Sequence, residues 1–214
     1  NTVAALGASG EQLGRIQAVF GTLVSAQSTP EIQAIQREMA PRLTRHRDDT
    51  LLDDRLFRKV KVLWDGRDGL GLDPDQKVLL ERTWKSFVRA GAQLDPASKE
   101  RLKALNGELT SLGVKFGDNL LAATNGWRLE LDRPEQLSGL PSGHVAAMAE
   151  AATKAGLPGK WVVTLQGPSL WPFLQGADNR DLRRQIFTAY VTRGDHGDAT
   201  DNKATLSRIA ALRA

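Results

Sequence analysis

Six apolar side chains, Leu102, Leu105, Leu109, Leu112, Phe116 and Leu120, recur at intervals of three and four residues through the middle of this chain. That interval follows the 3.6-residue turn and puts all six on one stripe of a helix. Asp95 and Pro96 supply a cap and a first-turn proline. Together they predict one helix from Pro96 to Ala122, roughly 40 Å long at about 1.5 Å per residue. A seam this regular needs cover, so it is expected to be core, packed antiparallel against neighbours in a bundle. Gly107, Gly113 and Gly117 interrupt it, each costing up to about 1 kcal/mol against Ala; close helix contact is the expected reason.

The rest of the chain reads mostly the same way. Apolar stripes bounded by cap signals predict helices at about 1–26, 30–47, 53–65, 74–90, 143–155, 180–193 and 202–214. Thr29-Pro30, Asp53, Asp73-Pro74-Asp75-Gln76 and Asn179 are the start signals. Pro41 falls inside one stripe and is expected to kink it, having no N–H to donate. Two stretches differ. Residues 127–131 alternate with period two, and residues 161–165 are rich in β-branched side chains. They predict a pair of strands. Pro168, Pro172 and Gly176 predict a loop. The expected fold is mainly α, a multi-helix bundle with a small two-stranded antiparallel sheet, and residues 1–214 are expected to form a single helical region.

At 214 residues, 41% apolar and 25% charged, the chain is long and greasy enough to bury a core. It has no cysteine, which excludes disulfides and thiolate metal sites. A net charge of +4 permits nucleic-acid binding without arguing for it. No apolar run has the length of a membrane span, so no membrane partner is expected. The absence of cysteine leaves the compartment open, because cytoplasmic and periplasmic proteins alike can lack it. The chain has no initiator Met or signal-peptide pattern at its start, and no cap after Leu206, Ile209 and Leu212 at its end. These features lead to the expectation of a segment cut from a longer protein. The uncovered 206–212 stripe is expected to fray or to self-associate.

No complete catalytic constellation is present. A zinc peptidase helix needs two histidines one turn apart with a Glu between them, and His46, His144 and His196 have no such partner. Arg45 and Arg47 beside His46 oppose a metal further. Asp195-His196-Gly197-Asp198 could hint at an acid/base pair but reads better as a turn. Asp48, Asp49, Asp53 and Asp54 lack the alternation and glycine of a calcium loop, and capping explains Asp53. Gly66, Gly69 and Gly71 precede no Lys-Ser/Thr pair, and no serine lies in a nucleophile elbow. Two basic clusters remain: Arg37, Arg42, Arg45, His46 and Arg47, and then Arg180, Arg183 and Arg184. Nearby acids dilute both, so solvated helix faces are expected and no nucleic-acid partner is assigned. No catalytic or metal residue is assigned, and any substrate-binding residues are unknown at this level.

The order of segments carries one further signal. Leu56-Phe57-Arg58-Lys59-Val60, then Gln76 through Ala92, then Arg101 through Leu121 resemble the N-terminal helical region of the thimet oligopeptidase family of zinc metallopeptidases. Gly139-Leu140-Pro141, the strand Lys160 through Leu165, Pro168, and Ala177-Asp178-Asn179-Arg180 through Arg184 follow in the same order. The opening Asn1 to Phe20 and the Gly159-Lys160-Trp161 turn are most similar to the bacterial dipeptidyl carboxypeptidase branch. The resemblance implies a largely helical, two-domain peptidase with a deep channel that cuts short peptides. It implies a zinc held by an H-E-x-x-H helix and a further Glu. This sequence lacks those residues, so none can be placed on it. The resemblance therefore implies a wall of the channel with no cofactor of its own, inactive without the C-terminal catalytic domain of the same polypeptide. A self-sufficient helical module that binds protein or nucleic acid is the alternative.

Overall fold

The computed structural model describes residues 2–214; Asn1, where the helix expected over 1–26 would start, lies outside the described residues. The chain is mainly α with one two-stranded antiparallel sheet. It divides into two compact units, residues 1–114 and 115–214.

The first unit is all helical. It contains α1 (Thr2–Ser9), α2 (Glu11–Ala26), α3 (Pro30–Leu51), α4 (Asp54–Asp65), α5 (Pro74–Arg89) and the start of α6 (Pro96–Gly126). The expected first helix is thus two, parted at Gly10. The caps follow the sequence signals. Thr29 accepts from the Ile32 N–H at 3.3 Å, and Asp73 and Gln76 form a reciprocal capping box. α3 runs unbroken through Pro41 to Leu51. Phe57, Val60, Phe87 and Ala92 form the core, with Trp84, Leu51 and Leu56 packed against it. The Phe57 and Phe87 rings stack with centroids 6.1 Å apart.

The Leu102–Leu120 seam departs from expectation. α6 forms, four residues longer than expected, but all six seam side chains are half-buried. Its contact with α3 is largely polar. Asn106 donates to both carboxylate oxygens of the buried Asp48 at 3.1 Å, and Thr110 shares a 2.8 Å hydrogen bond with Thr44. Such pairs hold two helices at a spacing that leaves the leucines short of full burial. The glycines are not contact points either: a Cβ at Gly107, Gly113 or Gly117 would meet nothing within 4 Å.

The second unit is built on the sheet. β1 (Arg128–Leu131) pairs antiparallel with β2 (Trp161–Thr164), Leu129 opposite Val163 and Leu131 opposite Trp161. Leu129 and Leu131 point inward and Arg128 and Glu130 outward, as a period-two strand requires. α7 (Ser142–Lys154), α8 (Gly167–Gly176), α9 (Arg180–Val191) and α10 (Lys203–Arg213) complete it. The core joins Leu131, Met148, Val163, Leu170, Phe173 and Ile186.

α8 replaces the loop expected from Pro168, Pro172 and Gly176. Pro168 stands in the first turn, where an N–H is not needed. Pro172 lies deeper and costs about 3 kcal/mol. Leu170 and Phe173 are fully buried, which returns about 1.5–3 kcal/mol each. Burial therefore offsets the proline.

α10 shows the second correction. Its inward residues are Thr205, Ile209 and Leu212, with the buried Asn202 at its N-cap position, while Leu206 is 51% exposed. Residues three apart fall about 60° short of a full turn, so the Leu206–Ile209–Leu212 series drifts around the helix. Thr205, Ile209 and Leu212 lie within about 60° of one another and make the real stripe.

Candidate functional site

The three histidines stand apart from any ligand set. His46 is exposed on α3. His196 is exposed in the loop before α10, with Nε2 3.4 Å from the Thr192 hydroxyl. His144, in the first turn of α7, is half-buried, and its Nε2 is buried with no hydrogen-bond partner. Burial pushes this imidazole below its ordinary pKa. Among the described residues no group of three or more His, Cys, Asp or Glu could hold a metal ion.

The four clustered aspartates diverge. Asp53 caps α4, accepting from Arg55 N at 2.7 Å and Leu56 N at 2.9 Å; the bond from Leu56 is the main cause of its depressed pKa. Asp48 faces Asn106, Asp49 pairs with Lys103 at 2.9 Å, and Asp54 pairs with the buried Lys99. Lys99 also donates to the Leu52 carbonyl at 3.2 Å. Each carboxylate thus has its own structural partner.

The Asp195–Asp198 segment is a turn held by its own acids. Asp198 accepts from the Thr200 hydroxyl and N–H, at 2.7 and 2.8 Å, which holds its pKa low. Asp201 accepts from Gly197 N and Lys203 N, at 2.7 and 2.8 Å. The Lys203 ammonium sits 2.7 Å from Asp195, the first cause of its raised pKa. Gly69 ends a short 3-10 turn, Arg67–Gly69, with Gly66 just before it and Gly71 just beyond it, and Arg67 stacks 4.3 Å over the Trp64 ring.

Long-range polar clamps in the second unit are absent from the sequence reading. The buried Asn202 donates to the Phe116 carbonyl at 3.1 Å and accepts from Asn119 at 3.1 Å. Arg193 lies 3.8 Å over the Tyr190 ring and donates to Thr124 at 2.9 Å. The Asn202–Phe116, Asn202–Asn119 and Arg193–Thr124 bonds carry no local signature and join residues distant in sequence.

The two basic clusters differ in kind. In the first, Arg42 pairs with Glu38 at 3.0 Å, and Arg45 lines a groove with Asp48, Asp49, Glu100 and Lys103. Acids balance it. In the second, Arg180, Arg183 and Arg184 share a groove of about 520 Å³ with Leu174 of α8 and Phe187 of α9. Arg183 donates to the Ala177 carbonyl. Arg180 and Arg184 are exposed, with no hydrogen bond or ion pair among the described residues. Here the structure brings together a basic cluster and an exposed aromatic ring. The local acids, Asp178 and Asp181, do not neutralise it: Asp178 accepts from the Ser138 hydroxyl at 2.6 Å, and Asp181 lies about 100° around α9 from Arg180.

No family model matches the chain. It is similar to dipeptidyl carboxypeptidase of Escherichia coli strain K12, 36% identical over 214 residues, covering 100% of this chain and 31% of that protein. Oligopeptidase A of the same organism is 28% identical over 205 residues, covering 94% of this chain and 30% of that protein. Organellar oligopeptidase A of Arabidopsis thaliana is 29% identical over 208 residues, covering 93% of this chain and 26% of that protein. The chain spans less than a third of the length of these relatives.

Proposed function

With the chain standing as a relative of the thimet oligopeptidase family along its length, we propose that it is the N-terminal, non-catalytic region of a zinc-dependent oligopeptidase of the dipeptidyl carboxypeptidase type. The observation that carries this reading is the similarity at 36% identity across the whole chain. A catalytic zinc takes three converging protein ligands and an open position for water. The residues here do not fit that group, since no such cluster exists among the described residues. No step of peptide hydrolysis is therefore assigned to any side chain of this segment. Its role is steric: helical surface forming one wall of the channel, limiting the size of peptide that reaches the metal. Short peptides are the substrates of the whole enzyme, and the zinc chemistry belongs to the remainder of the polypeptide.

The test is dipeptide release from a fluorogenic peptide, with metal analysis after dialysis. The 214-residue chain alone should show no turnover and no stoichiometric zinc. Joined to the remainder of its polypeptide, it should support metal-dependent release that ends when a chelator is added. Turnover or one-to-one zinc that survives repurification of the chain alone would overturn the reading.

A further inference from the structure

We propose that the α8–α9 groove is a docking site for an acidic polypeptide segment that carries an apolar side chain beside its carboxylates. Arg180, Arg184, Phe187 and Val191 recur at intervals of four, three and four, and so share one face of α9. Arg180 and Arg184 have no partner among the described residues. Guanidinium groups bind carboxylates through paired N–H donors, so two unpartnered ones side by side call for two carboxylates. Phe187 is 53% exposed and lines the same groove, and Trp171 and Val191 are exposed as well. A large apolar side chain left in water beside unpaired cations marks a contact surface of mixed character.

The spacing selects the shape of the occupant. Arg180 and Arg184 lie about 6 Å apart along the helix axis, and Phe187 about 4.5 Å further. Alternate residues of an extended peptide are about 6.8 Å apart. Carboxylates at alternate positions of an extended segment, followed by an apolar residue, therefore match the three in order. The site is also held in place. Arg183 ties the start of α9 to the Ala177 carbonyl at the end of α8, and the Trp171 ring meets Tyr190 edge-on with centroids 5.4 Å apart. A single-stranded nucleic acid fits less well. It needs a basic groove that follows several phosphates, and this one offers two unpartnered guanidiniums flanked by the aliphatic Leu174 and Val191.

The test is fluorescence anisotropy on the full chain, using a labelled peptide with Glu at alternate positions followed by Leu. Its Gln-for-Glu counterpart and a labelled oligothymidine serve as the other arms. The Glu peptide should bind saturably, and about tenfold more weakly at about 150 mM salt than at low salt. The Gln peptide and the double variant Arg180→Ala/Arg184→Ala should each weaken binding about tenfold or more. Phe187→Ala should weaken it without changing the salt dependence. Lys154→Ala, on the exposed side of α7, should leave it unaltered. Thermal unfolding of each variant, unchanged from the parent, shows that the loss is local. Absence of saturable binding overturns the proposal, as does binding that the double variant leaves intact. Tighter binding of the oligothymidine, lost in the same variant, overturns it in favour of nucleic acid. None of these readouts depends on peptidase activity, so they stand or fall apart from the reading above.

Discussion

Gly139 adopts φ +83°, and a Cβ built on it would lie 2.2 Å from the Gly176 carbonyl oxygen. Both facts exclude a side chain. Gly139→Ala should cost about 1–3 kcal/mol, read as a lower urea midpoint at unchanged slope. Gly113 and Gly117 are the opposite case, helical glycines with open space where a Cβ would go. Replacing either by Ala should raise stability by about 0.5–1 kcal/mol, and a loss instead would show that another surface approaches the helix there. His144 gives a pH signature. Burial lowers its pKa in the folded state, so the unfolded chain takes up a proton that the folded chain resists. Above the ordinary value of 6.5 both states are neutral and stability is complete; it falls as pH drops below that value and levels off beneath the folded pKa. His144→Gln should remove this part of the pH dependence in urea titrations from neutral to mildly acid pH. A profile that matches the parent would mean that His144 titrates freely. Local chemistry of this scale is uneven in its legibility. The caps at Thr29, Asp53, Asp73 and Asn179 use neighbours two or three residues away and are visible in sequence. The contact that requires Gly139 comes from a residue far along the chain and is not.

At the scale of elements, periodicity located the helices but not their burial. The α6 seam has a regular apolar pattern and remains half-buried, because Asp48–Asn106 and Thr44–Thr110 set its approach to α3. α8 has two prolines and is nonetheless a helix, because Leu170 and Phe173 enter the core. A pattern says which side chains share a face; what lies opposite that face decides how far they are covered. The consequence is a reversal of energetic weight. Phe173→Ala should cost about 3–5 kcal/mol, and Leu109→Ala should fall below the roughly 2–5 kcal/mol usual for a buried leucine. Urea melts of the two variants check the order, and a Leu109 effect equal to that of Phe173 would mean that the seam is covered in solution. α10 follows the same logic. Its covered stripe is Thr205, Ile209 and Leu212, so Leu206→Ser should stay within about 0.5 kcal/mol of the parent. A larger loss would restore the stripe read from Leu206.

For the molecule as a whole, the sequence reading took residues 1–214 as one helical region, and the strands at 127–131 and 161–165 as an appendage to it. In the structure those strands sit within the better-filled core. Leu129, Leu131, Val163 and Leu165 come from the strands and their edges; Met148, Leu170, Phe173 and Ile186 come from the helices around them. Every one of these residues belongs to the unit 115–214. The core of residues 1–114 rests on Phe57, Val60, Phe87 and Ala92, a smaller set. The two-unit division was illegible in sequence because it depends on contacts between distant segments, and α6 runs through the boundary without a glycine-proline linker to mark it. Each fully buried aliphatic or aromatic side chain contributes about 1.5–3 kcal/mol, so the fuller core should sustain folding by itself. The polar clamps that fasten the end of α6, Asn119 and Phe116 to Asn202 and Thr124 to Arg193, also lie within residues 115–214. That segment expressed alone should therefore unfold cooperatively and keep a near-ultraviolet signal from its packed tryptophans. Residues 1–114 expressed alone should unfold at lower urea. Gradual, non-cooperative loss of structure in the 115–214 segment would show that its core needs the first unit to form, and the division into two self-supporting cores would fail.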